Sequence, residues 1–311
     1  MLSRVAYSLY WMSRYMERSD GILRLLRVNY AYSQDNFNKL SWKPVLGIFS
    51  DMKLREKIKL QYESRKVLRF MISDKDNDNS VSNLVCTSRE NARSVQDNVT
   101  KELWQCLNEY YHTIRDDQIA ISLDKDDPIS VIDRLVTQGM HYYGTFEITM
   151  ARNEGYYFMN IGKYLERAVQ SIDILDVKFS ELKYSLDEPT DPTYWKFFLL
   201  SISGYELFLK SYRSALDSSN ILHQIIWNED FPRSLVYSVN RLKKSFETLK
   251  TDKNSESYKA LSFMIGKLES NIRYSDLKDL QEQGLKEYLQ KIKKELFAIA
   301  DALNHYYFAF N

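Results

Sequence analysis

The sequence predicts an all-α fold, and three observations carry the prediction. Only nine glycines and five prolines occur in 311 residues, roughly half or less of the usual glycine share and a third of the usual proline share. Both residues interrupt regular structure, so their scarcity calls for long unbroken elements. Apolar residues recur at alternating intervals of three and four, the spacing that gathers one face of a helix. No stretch alternates apolar and polar residues as a half-buried strand does.

Taken in order, Val5, Leu9, Met12, Met16, Leu23, Leu26 and Tyr30 form the first stripe, missing only at Ser19, and predict one helix of about 28 residues. A second helical region runs from Leu54 to Ile72 and breaks at "SDKDNDNS". Ser80 then opens a long helix expected to run unbroken to Arg115. Asp127-Pro128 and Asp191-Pro192 each put an acidic N-cap before a proline at the first helical position. "NEG", Asn153 to Gly155, marks a break before a helix striped by Phe158, Ile161, Leu165, Ala168, Ile172, Leu175 and Phe179. Helices are expected further on near 192–216, 218–227, 233–250, 257–274 and 282–306.

The chain also repeats itself. "YWMSRYMERSD" (Tyr10 to Asp20) and "NIGKYLERAVQ" (Asn160 to Gln170) share a Tyr-aliphatic-Glu-Arg core, 149 residues apart. "VLRFMISDKDNDNSV" (Val67 to Val81) matches "ILHQIIWNEDFPRSL" (Ile221 to Leu235) at an offset of 154. Such self-similarity predicts two duplicated helical units, residues 1–145 and 146–311, packed as one body because no Pro/Gly/Ser-rich linker separates them.

The repeated segments supply the first candidate site. Glu17 lies about 100° from Met16 on the helix wheel, at the edge of the apolar stripe. Arg14, three residues earlier, is within reach along the same helix, and Arg18 points further round. The second copy offers Glu166 and Arg167, with Lys163 in the place of Arg14. These carboxylates either form buried ion pairs that fix helix register, or share a cleft in which arginine forks hold a carboxylate or phosphate. "RENARSVQDNV" adds Glu90, Arg93 and Asp97 at i, i+3, i+7 on one face, with Asn91 on the flank; a solvated ion-pair face gives the same pattern. "NEDFPRS" brings Asp230, Arg233 and Ser234 to a helix start, where spare N–H groups either receive caps or bind an anion.

"MLSRVAYSLYWMSRYMERSD", "RENARSVQDNVTKELWQCLN", "GYYFMNIGKYLERA" and "FPRSLVYSV", in that order, resemble the bacterial alpha-E domain family over residues 1 to about 240. The chain departs from the family pattern with Ser13 for glycine, Ser19-Asp20 for Ala-Glu, Tyr156 for tryptophan and Lys163 for arginine. The resemblance implies an all-helical protein whose signature is Glu17-Arg18 and Glu166-Arg167. It also implies genes for ATP-grasp-type ligase-like and transglutaminase-like proteins nearby, hence a role in making or modifying a peptide or amide-linked product.

Other chemistries find less support. The 43 basic and 42 acidic residues are interspersed, unlike the basic stripes that neutralise phosphates, so nucleic acid is not an expected partner. No run of 18 or more apolar residues is long enough to span a bilayer. Glu109-x-x-His112 is the one Glu-x-x-His motif, where a di-iron bundle needs two and further glutamates; no metal or cofactor is expected. No phosphate-cradling glycine loop and no Gly-x-Ser-x-Gly elbow occurs. Cys86 and Cys106 have no metal spacing and fit a reducing compartment at least as well as a disulfide, so a cytoplasmic setting is expected. The 23 tyrosines, with pairs at 110–111, 142–143, 156–157 and 306–307, suit either a polar-aromatic groove or a protein interface.

The leading expectation is therefore an accessory module that docks on an ATP-grasp-type ligase and helps present an amino-acid or peptide ligand. A stand-alone enzyme using Glu17 or Glu166 as general base is the rival. Adjacent arginines oppose the raised pKa such a base needs, which favours binding over catalysis. A purely structural Glu–Arg lock is the third reading.

Overall fold

The computed structural model describes residues 1–35, 41–50, 52–186, 191–213, 216–249, 252–253 and 255–308. Among these the chain forms sixteen α-helices and no strand. In order they are α1 (Ser3–Asp35), α2 (Lys43–Phe49), α3 (Leu54–Leu60), α4 (Ser64–Ser73), α5 (Val81–Ser94), α6 (Lys101–Arg115), α7 (Asp117–Lys125) and α8 (Pro128–Thr149). Then follow α9 (Glu154–Glu181), α10 (Pro192–Ser201), α11 (Tyr205–Ser211), α12 (Ser218–Ile226), α13 (Leu235–Glu247), α14 (Glu256–Arg273), α15 (Leu277–Gln283) and α16 (Leu285–Leu303). A 3-10 turn at Gln96–Asn98 separates α5 from α6, and a π turn, Asn304–Phe308, follows α16. No helix among the described residues is long and apolar enough to cross a membrane.

Most helix starts follow from side chains that satisfy otherwise orphaned N–H groups. Ser80 accepts from Asn83 N, Thr100 from Leu103 N, Asn153 from Tyr156 N and Ser234 from Tyr237 N. Asp127 accepts from both Ile129 N and Ser130 N ahead of α8, and the Asp191 carboxylate takes the Thr193 N–H at 2.8 Å.

Four expected helices are shorter than their periodicity suggests. The region 54–72 is two helices, because Trp42 N donates to the Gln61 carbonyl at 2.8 Å and Trp42 Nε1 donates to Ser64 Oγ at 3.0 Å. The helix from Ser80 stops at Ser94: Val95 leaves helical geometry at φ −136°, ψ 35°, and Thr100 caps a new helix. The helix expected over 192–216 ends at Ser201, with Ser203 at φ 56°. The helix expected from 282 is broken at Gly284, whose φ of 89° suits glycine alone among common residues.

The chain divides into two compact units. One comprises residues 1–14, 152–196 and 204–311, the other residues 15–151 and 197–203. In the first, α9 packs against α13 and α16, α13 against α14, and α14 against α16. All seven residues of the α9 stripe are buried, and Phe179 meets Trp195 with ring centroids 5.3 Å apart. In the second unit α5 and α8 pack on α6, and α4 packs on α7. Its core holds Trp42, Tyr110, Tyr142 and Phe146.

Candidate functional site: the buried glutamate–arginine segments

The first unit is organised by a close crossing of its part of α1 with α9. Gly162 lies so near α1 that a Cβ there would stand 2.3 Å from the Tyr10 carbonyl oxygen. Four residues beyond each contact point, on the same helix faces, stand Arg14 and Glu166. Arg14 Nε donates to Glu166 Oε2 at 2.8 Å, and Nη2 lies 2.7 Å from the same oxygen. Arg14 Nη1 also donates to the Tyr10 hydroxyl at 3.2 Å, and the guanidinium stacks 4.7 Å from the Trp11 ring. Only 5% of Arg14 and 2% of Glu166 is exposed. Burial alone would weaken Arg14's hold on its proton. The Glu166 charge and the hydrogen bonds outweigh it, so the guanidinium is held charged more firmly than usual. Burial pushes the Tyr10 phenol up despite Arg14's opposing pull.

The expected contact of Arg14 with Glu17 along one helix is thus replaced by a pair across two helices. Sequence reading missed Tyr10, although its i, i+4 spacing from Arg14 is a legible signal.

In the second unit Glu17 is fully buried and accepts a hydrogen bond from Tyr143 Oη at 2.6 Å. Tyr143 belongs to one of the tyrosine pairs noted above, but nothing in the sequence ties it to Glu17. Asp20, three residues on, takes Arg24 Nε at 2.8 Å, and Arg24 Nη1 donates to Ser203 Oγ at 2.8 Å. Burial would lower the Arg24 pKa, but Asp20, reinforced by the Glu17 charge, raises it.

The two signature arginines do parallel work. Arg18 Nη1 donates to Asn79 Oδ1 at 3.1 Å, in the loop just before Ser80 caps α5. Arg167 Nη1 donates to the Pro232 carbonyl at 3.1 Å, in the loop just before Ser234 caps α13. Ser171 Oγ holds the same loop through the Arg233 carbonyl at 2.8 Å. Both capping serines are fully buried. Arg167 also stacks 5.3 Å from the Tyr164 ring, with the Lys163 ammonium 5.0 Å from that ring.

The remaining candidates fare differently. Glu90 and Arg93 are exposed and pair with each other at 2.6 Å, with Arg89 also on Glu90 at 2.9 Å. Asn91 is half-buried beside them. Asp97 does not share their face, because α5 has ended and Asp97 sits in the 3-10 turn. Asp230 is exposed and caps no helix; Ser234 does the capping. Glu109 and His112 are exposed, and no group of three or more His, Cys, Asp or Glu is placed to hold a metal among the described residues. Burial pushes the Cys106 thiol up to about 11 and raises Cys86 too, the opposite of what a thiolate nucleophile needs.

Chemically, the first unit's pair is a closed, buried ionic contact. A family model described as Alpha-E, a predicted alpha-helical domain with a conserved ER motif, matches residues 1–308. No curated protein and no solved structure matches the chain.

Proposed function

The chain belongs to the Alpha-E family, and on that premise we propose that it is a non-catalytic helical module. It docks on an ATP-grasp-type ligase and helps present an amino-acid or peptide substrate for amide-bond formation. The observation that carries the non-catalytic reading is the Arg14–Glu166 contact, with side chains only 6% and 3% exposed. A carboxylate so buried and bound has no approach for a substrate proton. Breaking such a pair leaves a stranded charge, typically costing ~3–5 kcal/mol, so the motif serves the scaffold. The ligase as partner rests on the family resemblance and on the gene neighbours which that resemblance implies.

The two halves are read as a duplication. In support, Arg18 and Arg167 each reach the loop ahead of a buried serine cap. That construction fixes the loop geometry twice over, as a presenting scaffold requires.

The test is co-purification of the tagged chain from its native host, with the accompanying proteins identified by mass spectrometry. An ATP-grasp-type ligase is the expected companion, with ATP consumption in the presence of amino acids only when both proteins are present. Turnover by the isolated chain, abolished by Glu17→Gln without loss of the fold, would overturn the reading in favour of an enzyme.

A further inference from the structure

The second unit carries a cleft of about 340 Å³ that the signature residues do not touch. It lies among the C-terminal turn of α4, the loop after it, α5 and the α6–α7 junction. Charges of both signs line it: Arg115 and Lys75, and Asp74, Asp116 and Asp117. A third cation of the lining, Arg69, is already engaged by Asp124 at 3.1 Å.

Several of these charges are unspent. Among the described residues, the Arg115 guanidinium, the Lys75 ammonium and the Asp117 carboxylate form no ion pair or side-chain hydrogen bond. Asp74 and Asp116 each use one oxygen on a local backbone N–H, from Asp76 and Gln118 respectively. Ile114 and Ile119, 3% and 2% exposed, add an apolar wall, and the buried Ser82 a hydroxyl.

This lining excludes some ligands and fits one. A polyanion such as a nucleotide triphosphate would meet three aspartates. A bare metal ion would meet two unpaired cations, and no metal-holding group exists among the described residues. The volume is at the low end of the roughly 300–1,000 Å³ range of ligand sites, suiting a small molecule. A ligand carrying a carboxylate and an ammonium on one short frame satisfies both signs at once: Arg115 is a fork for the carboxylate, and Asp117 accepts from the ammonium. The isoleucines suit an aliphatic side chain.

We propose that this cleft binds the zwitterionic backbone of an aliphatic α-amino acid or of a short peptide. As the identity of the substrate to be presented, the site rests on the accessory-module reading; as a binding site it needs no ligase.

The experiment is calorimetry on the full chain with L-leucine and glycyl-L-leucine. The comparison probes are 4-methylpentanoate, which lacks the amine, and 3-methylbutylamine, which lacks the carboxylate. At least one zwitterion should bind saturably, and about tenfold more tightly than either comparison probe. Arg115→Gln and Asp117→Asn, both at exposed positions, should each weaken it by about tenfold while leaving the melting temperature in place. Asp117→Asn should not alter any binding of 4-methylpentanoate. No saturable binding of either zwitterion at about 10 mM, equal affinity for all four probes, or indifference to Arg115→Gln would overturn the proposal. Failure here with a ligase still co-purifying leaves the module reading intact. Binding without any co-purifying ligase would sink that reading and keep the site.

Discussion

Replacing Gly162 by alanine should destabilise the first unit, against the ordinary rule for a glycine inside a helix. In a solvent-facing helix the change gains about 1 kcal/mol from propensity. At Gly162 the new Cβ would meet the Tyr10 carbonyl oxygen at 2.3 Å and the carbonyl carbon at 3.1 Å. The nearer contact is about 1 Å short of ordinary van der Waals distance, and a backbone cannot rotate aside as a side chain does. Forcing α1 away from α9 belongs at the upper end of overpacking costs, ~3 kcal/mol, leaving a net loss of ~2 kcal/mol after the propensity gain. For a body of this size that is a fall in melting temperature of roughly 4–8 °C. The same shift would pull Arg14 from Glu166, one turn further along both helices. Gly266 in α14 is the internal control: nothing lies within 4 Å of its would-be Cβ, so Gly266→Ala should raise the melting temperature by roughly 2–4 °C. Thermal and urea unfolding of both variants, followed by circular dichroism, decide the matter. If Gly162→Ala melts at or above the parent, the close crossing is not what sets the α1–α9 distance.

Three other outcomes are expected. Glu166→Gln strands a buried guanidinium and should cost ~3–5 kcal/mol, whereas Arg14→Leu combined with Glu166→Leu should lose less than either single change; urea midpoints showing additive losses would contradict the pairing. Ser80→Ala and Ser234→Ala each remove a fully buried N-cap, and each should cost about 1–2 kcal/mol by chemical unfolding. Partial burial lowers the His223 pKa from 6.5, and its Nδ1 lies 2.6 Å from the Tyr212 hydroxyl. A depressed folded-state pKa gives stability that is fully present above pH 6.5 and lost as pH falls through the folded value. Melting temperature should therefore drop from pH 7 toward pH 5, and His223→Gln should flatten that slope; an unchanged slope would remove His223 from the account.

Much of the fold was readable from local chemistry. The α9 stripe from Phe158 to Phe179 is buried as its spacing required, and Ser80, Asp127 and Asn153 cap helices as their side chains allow. Breaks were harder to see. Gln61 gives up its carbonyl to Trp42, 19 residues earlier, and no propensity at Gln61 announces it. The face joining Glu90, Arg93 and Asp97 failed for the same reason in reverse: Val95 leaves the helix without a glycine or proline to signal it.

The candidate site divides along the same line. By itself the sequence determined which residues carry the signature, their helical setting and the spacing of Arg14 from Tyr10, because i, i+4 neighbours follow from helix geometry alone. Only the tertiary structure decided that Arg14 answers to Glu166 across 152 residues, and that Tyr143 reaches Glu17 across 126. It likewise decided that Arg115, Lys75 and Asp117 line one cleft. Partner choice among buried charges depends on how closely two backbones approach, and that distance is set here by the absence of a side chain at Gly162.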